Sequence, residues 1–591
     1  MIAPGKFLFV FLSATYIVKC EAQSPEISDY RNRQLETLAE KKNAEPEDDA
    51  YEMDLSAFRK HPLNMNTASE EDLIQLHIPG VFQIRNFISY RKLLGSLLSV
   101  YELQAIPGWD LELVRKLLPY IMVGRNESLY TTIRERWRGG DHAFLIRGSQ
   151  VVEKSKGFEK PQSADASHYE GSAQKIFIRY TYNYKQLLEY GITGEKDAGE
   201  PFLKGAQRYG FDFYSFHFFL QRAGLLRALA IGDFAVNLAQ GLLQWQTVSF
   251  TKSSQALALK REASTFKPYH SAGEFNFHRG IGVSLENGKW QASLFVSSQK
   301  ISTNLVSDTN RKEDLFSSFQ NSGYHRTASE IADRNNSRQF SAGGNIRFRS
   351  KQFMVGFNYI QFHFSRSFQK RDEPYNLYSF HGNELTDYSI DFNYTLANVH
   401  TFGEIATDQW LHTAFVQGAL ISLGENLDMS FLYRNISPAF QSLYGDAFTE
   451  NSIPSNEKGF YAGFAFRPAT GWQADLYYDV YVFPWLKYRI DGPSAGRDIL
   501  FQVVYQPNKW WHFTTLYKNE SKAGNLLLNE GRTNALATSD KQRWLIETQC
   551  SPGRSVSFTS LMEFLWLTGS GKSLRQGFLG IATAGFRKPG F

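Results

Sequence analysis

Two Ile-Pro-Gly steps, Ile78–Gly80 and Ile106–Gly108, lie 28 positions apart. Cations follow each of them, Arg85 after the first and Arg115 and Lys116 after the second. Side chains so placed can flank a phosphate, which is the chemistry of anion binding and not of bond-making. The competing use of the same three residues is as the solvated face of short helices. No His-Glu-x-x-His zinc motif, Walker loop or Gly-x-Ser-x-Gly nucleophile elbow occurs in the chain. His363 and His512 fall in alternating, strand-like stretches. So do Asp475, Asp479 and Glu563, whose charge suits the interior of a closed sheet, lining a channel or pairing with arginines there. Removal of an exported leader would leave Cys550 as the sole cysteine, with no disulfide and no thiolate zinc site. The sequence therefore predicts no catalytic residue, no metal ligand and no cofactor.

The elements that must position these residues come in two kinds. Residues 61–123 read as a small all-α module. Thr67-Ala-Ser-Glu70 and Ser99-Val-Tyr-Glu102 have the spacing of capping boxes, each opening a short helix that ends at Ile-Pro-Gly. Gly80 and Gly108 can take the positive φ that ends one helix so that the next starts at once. The stretches "IRNFISYRKLL" and "LELVRKLLPYI" supply the second helices, so helix, hairpin and helix are written twice.

From residue 141 to the end the period is 2. In "KIFIRYTYNYK", Ile176, Ile178, Tyr180, Tyr182 and Tyr184 share an apolar face opposite a mostly polar one of Phe177, Arg179, Thr181, Asn183 and Lys185. Short connections at Asn287-Gly288, Ser350-Lys351, Gly424 to Asn426, Pro468 to Gly471, Pro507-Asn508 and Ser551 to Gly553 alternate with long polar ones near 301–338, 365–387, 436–457, 484–496 and 520–540. Tight turns on one rim and long loops on the other describe an up-and-down transmembrane barrel. Counting the alternating runs predicts roughly 16 to 20 strands, within the range of such barrels. Trp472, Trp485, Trp510, Trp511, Trp544 and Trp566 suit interfacial girdles. The segment Gly232 to Gln246, "GDFAVNLAQGLLQWQ", breaks the alternation and reads either as a bulged strand pair or as a piece folded into the lumen.

Composition fits that division. Aromatics make up 15% of 591 residues while charged residues reach 21%, an unusual pairing for a soluble α/β enzyme. The net charge of +5 is too small for a strongly basic coat. Residues 1–22 have the parts of a secretory signal: Lys6, an apolar core from Phe7 to Val18, and Ala22 at the expected cleavage point. Residues 23–60 read as a charged helix or tether and 124–140 as a linker to the barrel of 141–591.

"LNMNTASEEDLIQL", "YRKLLGSLLSVYELQAIPGW" and "LVRKLLPYI" resemble the tandem helix-hairpin-helix domain of competence-type DNA-uptake proteins. With the aromatic strand region behind it, the arrangement also looks like Gram-negative outer-membrane proteins carrying such a domain at the N-terminus. The resemblance implies that the hairpin backbones meet duplex DNA, through Gly80, Val81, Phe82 and Arg85 and through Gly108, Trp109, Arg115 and Lys116. This chain departs from the pattern where Phe82 and Asp110 replace the second glycine of each hairpin. Residues 61–123 carry five cations and six anions, a balance of −1 that offers few phosphate contacts. The expectation is a non-enzymatic barrel in outer-membrane lipid with a periplasmic module. That module either binds double-stranded DNA or serves as a plug or docking domain for periplasmic proteins.

Overall fold

The computed structural model describes residues 50–586 apart from 125–132, 160–166, 250–251, 308–313, 425, 527–533, 554 and 570–573. The signal-like segment, residues 23–49 and the last five residues lie outside the described part. Helices are confined almost wholly to the first hundred described residues, and beyond them the chain is strand.

The antiparallel sheet holds 23 strands, from Asp141–Ser149 to Arg575–Phe586. Three of them, Phe266–Pro268, Thr303–Ser307 and Asp314–Phe319, are short and belong to insertions. The other twenty pair in unbroken succession, the upper end of the expected range. First and last strand are neighbours in the ring order, yet no paired register joins them among the described residues. Both are exposed along almost their whole length, as an unzipped seam would be.

Alternation explains why these residues form a wall. In Trp472–Phe483, Asp475, Tyr477, Asp479 and Tyr481 point inward and are buried, while Trp472, Leu476, Tyr478 and Val482 are exposed on the outside. In Phe353–Phe368 the outward set is Phe353, Val355 and Phe357, and the inward set includes Asn358, Ile360 and Phe362. A ten-residue strand is about 33 Å long, and tilted by about 45° it covers roughly 24 Å of height, close to the apolar band of a membrane barrel. No helix among the described residues is long and apolar enough to cross a membrane, which says nothing of strands.

The turns agree with the sequence pattern, with further tight connections at 185–187, 224–225 and 397–398. Strands run further into two expected loops, Phe353–Phe368 and Gly382–Leu396 into 365–387, and Trp511–Asn525 and Leu536–Cys550 into 520–540. The ladder continues there because polar side chains also tolerate a wall that rises into water. Trp472, Trp510 and Trp511 stand exposed at the tight-turn rim. Trp485 instead lies in a long connection, its Nε1 donating to the Pro374 carbonyl at 3.0 Å.

The N-terminal module begins earlier than the sequence suggests. Leu55 and Phe58, on the helix Ala50–Lys60, share its core with Leu73, Leu76, Phe87, Leu103, Trp109, Leu117 and Tyr120. A short parallel pairing, Leu63–Asn64 with Ile121–Met122, ties its two ends together. Two local expectations are corrected. The first helix, Glu70–Gln75, is capped by Ser69 with Asp72, not by Thr67 with Glu70. Thr67 Oγ1 instead donates back to the Asn64 carbonyl, one turn too early to reach the helix. Gly80 has φ −79° and is the N-cap of the next helix; His77, at φ +52°, makes the left-handed step. Ser99 with Glu102 is a capping box as expected, opening a 3-10 turn over Val100–Ala105, and Gly108 takes φ +80°.

Candidate functional site: a filled lumen and its docked module

The broken alternation after Gly232 resolves as strand followed by lumen filler. The strand Leu226–Val236 ends at Val236, and residues 237–249 and 252–265 leave the wall before the chain returns to pair beside it. Leu238, Leu242, Leu243, Ala256 and Leu259 of this segment are fully buried against inward wall residues such as Phe295, Phe362 and Phe402. The interior thus holds an apolar cluster beside buried polar wall residues such as Arg434, Glu457 and Asp479, which pair with one another. The long connection 437–456 folds in on top of the segment, with Phe440, Tyr444 and Phe448 in the same cluster. Trp245 N–H donates to the Tyr444 carbonyl at 2.8 Å, and Asp446 N–H to the Gly241 carbonyl at 3.0 Å. A side chain at Gly241 would come within 2.9 Å of the Asp446 carbonyl, and its φ of +84° also suits glycine.

Polar pins hold this filler in register. Glu404, on the wall strand Val399–Asp408, accepts the backbone N–H groups of Gln240 at 2.9 Å and Leu242 at 3.1 Å through one carboxylate oxygen. Lys252 reaches Glu450 and Asp479, each at 2.5 Å. Asp479 also takes a bidentate contact from Arg434, at 2.8 and 3.0 Å, and Arg434 Nε donates to Glu457 at 2.5 Å. Asp479 and Asp475 therefore do face inward; Glu563 pairs with Arg543 at 2.8 Å. With Arg434 fully buried, Arg434→Ala should cost about 3–5 kcal/mol, because Glu457 is left buried without its cation and Asp479 with Lys252 alone. Equilibrium unfolding of the purified barrel in detergent measures it, and a loss below about 1 kcal/mol, the range of exposed pairs, would remove the network from the account.

The module sits at the tight-turn rim. Arg222 pairs with Asp72, Arg227 contacts Glu71 at 3.2 Å and Arg349 contacts Glu71 at 2.7 Å. Gln75 reaches Ser264 of the lumen segment at 3.4 Å, and His61 meets Asp141 at the start of the wall at 2.7 Å. Burial alone would raise the Glu71 carboxyl, but the Arg227 and Arg349 guanidiniums outweigh it and hold the group down at about 2.

The residues singled out for DNA contact divide between two surroundings. Val81 and Phe82 pack against the luminal cluster, so the first hairpin points into the barrel mouth. Gly80 N–H is taken by Gln83 Oε1 at 2.6 Å, and Arg85 Nη1 is buried with no hydrogen-bond partner. Trp109 is only 2% exposed, its Nε1 donating to the Gln83 carbonyl at 2.8 Å. Gly108, Arg115 and Lys116 are exposed. Asp110 is the N-cap of Leu111–Leu117, its carboxylate accepting the Leu113 N–H at 2.7 Å. The donor that a phosphate would use at this helix start is already occupied.

Sequence reasoning missed two buried groups whose ligand atoms converge: Glu189, His217 and His270, and Glu200, Asp212 and His325. Their members are up to 125 residues apart in the chain, so no spacing motif announces them. The second group has its own counter-charge, with Arg334 Nε 3.1 Å from Asp212 and His325 Nδ1 2.6 Å from it.

No family model matches this sequence, and no curated protein does. Among solved structures the chain is similar to OpdQ of Pseudomonas aeruginosa, at 7% identity and TM-score 0.29, covering 70% of this chain and 91% of that one. OccK11 (OpdR) of the same organism aligns at 9% identity and TM-score 0.33, covering 69% and 93%. OmpT, described as an outer membrane protein of Vibrio cholerae, aligns at 9% identity and TM-score 0.23, covering 70% and 94%. Overlap this slight carries no argument about function, and the architecture rests on the strand registers of this chain.

Proposed function

We propose that this chain is a non-enzymatic outer-membrane barrel whose periplasmic helix-hairpin-helix module closes the tight-turn mouth and docks a periplasmic protein. The carrying observation is the orientation of the first hairpin: Val81 and Phe82 are packed on the luminal cluster, where no duplex can approach. Three further features support the reading. Asp110 fills the anion position of the second hairpin with its own carboxylate. Acidic Glu71 and Asp72 are matched by three wall arginines, so charge complementarity runs between module and rim. The helix Val81–Leu94, with 14 residues, places its far end about 20 Å from the inserted hairpin. There Leu93, Leu94, Leu98 and Tyr101 are 71–91% exposed, an apolar group that suits protein contact better than a phosphate backbone. An apolar outer belt and tight turns on the module side support a membrane placement with the module in the periplasm.

Fluorescence anisotropy of the full chain in detergent with labelled duplex DNA tests the reading. The expected result is no salt-dependent binding, and none altered by Arg115→Ala with Lys116→Ala. Affinity that falls steeply with salt and is lost in that double variant would restore DNA uptake or handling as the function.

A further inference from the structure

Glu189 and His217 lie on adjacent wall strands, Leu188–Lys196 and Phe213–Ala223, and both point inward. His270 comes from the stretch that returns the luminal segment to the wall, just beyond the short strand Phe266–Pro268. One oxygen, Glu189 Oε1, is faced by His270 Nε2 at 3.0 Å and by His217 Nε2 at 3.6 Å. All three ligand atoms lie within 4.8 Å of one another. His217 is 1% exposed, and neither of its ring nitrogens has a hydrogen-bond partner. A buried imidazole left in that state lacks the interaction its lone pair needs.

We infer that Glu189, His217 and His270 form a binding site for a divalent transition ion of the zinc type. Two imidazoles and a carboxylate are the donor set such an ion takes, at bonds of about 2.0–2.2 Å. Those bonds put ligand atoms about 3.3–3.6 Å apart in a tetrahedron, so the 3.6 Å contact already fits and the 3.0 Å contact has to open slightly. Two independent features fit a built site. A Cβ at Gly191, the residue paired with His217 across the ladder, would stand 2.7 Å from the imidazole Cε1; glycine leaves the ring its place. The second carboxylate oxygen accepts from Asn183 Nδ2 at 3.2 Å, an outer hydrogen bond of the kind that orients metal-bound carboxylates. The ion would tie the returning end of the luminal segment to the wall.

The test uses the full chain in detergent, stripped with chelator, dialysed against zinc and assayed by elemental analysis. About one zinc per chain is expected. Glu189→Gln and His217→Ala should each abolish retention, while Asp212→Asn, in the other convergent group, leaves it intact. Cobalt loaded in place of zinc should give the visible absorption of a tetrahedral ion, lost in the same two variants. The isosteric Glu189→Gln keeps the assay decisive should the histidine variant fail to fold. No retained zinc overturns the inference, as does retention unchanged by Glu189→Gln. Loss that follows Asp212→Asn in place of Glu189→Gln also overturns it, since the ion then sits in the other group.

Discussion

Replacing residues 240–262 by a short Gly-Ser linker, in a chain whose module is also undocked by Glu71→Lys and Asp72→Lys, should turn a plugged barrel into a steadily conducting one in planar bilayers. The flanks permit it: Asn237 N–H already donates to the Thr265 carbonyl at 2.9 Å, so the two ends stand side by side without the segment. A wall of 16–18 strands leaves an aqueous channel when nothing fills it, and twenty strands enclose more. With the segment gone, the connection 437–456 loses its contacts to Gly241, Trp245, Lys252 and Arg261 and keeps only those to its other neighbours, such as Tyr444 on Phe362 and Phe448 on Tyr461. Glu404→Ala is the graded version. It deletes two hydrogen bonds to a carboxylate, together about 3–6 kcal/mol, and should produce intermittent openings. A deletion variant that folds and stays electrically silent would show that another part of the chain closes the pore.

Reversing Glu71 and Asp72 to lysine should undock the module while leaving the barrel intact. Each new cation would face Arg222, Arg227 or Arg349, replacing attraction by repulsion at all three ion pairs with the rim arginines. Hydrogen exchange across residues 70–94 reads the result directly: the hairpin should lose protection while the wall strands keep theirs. Acid should act in the same direction. The Glu71 carboxyl is held at about 2 when docked and would titrate near 4.5 when free. A depressed value contributes docking stability above the free pKa, and that contribution is lost as pH falls through the docked one. Docking should therefore be unchanged from neutrality to about pH 4.5 and weaken progressively toward pH 2. Protection that survives the double reversal would mean that Val81 and Phe82, with the contacts of Gln75 and His61, hold the module, and the arginines would be incidental.

How much of this was legible beforehand varies with the range of the interaction. Alternation in "KIFIRYTYNYK" and the turn residues at Asn287-Gly288 or Pro507-Asn508 are local, and they located strands and rims. The inward direction of Asp475 and Asp479 followed from their cost in lipid. Ser99 with Glu102 was correct as a cap because the whole motif spans one turn. Thr67 failed for an equally local reason: two hydroxyls compete two positions apart, and Ser69 captures the helix start. At Gly80 the glycine was read as the left-handed residue, but the chain had already turned at His77.

By itself, the sequence determined a mainly β chain with an α module in front, the rhythm of tight and long connections, and the departure of Phe82 and Asp110 from the glycine pattern of the hairpins. Those properties follow from side-chain period, turn chemistry and charge, all of which act over a few residues. Only the tertiary structure decided that 237–249 and 252–265 fill the lumen, that the first hairpin faces the barrel, and that Glu189, His217 and His270 meet. Each of these depends on curling a sheet of twenty wall strands into a ring, which brings residues far apart in the chain to one place and gives an apolar run such as Leu238 to Leu243 somewhere dry to go.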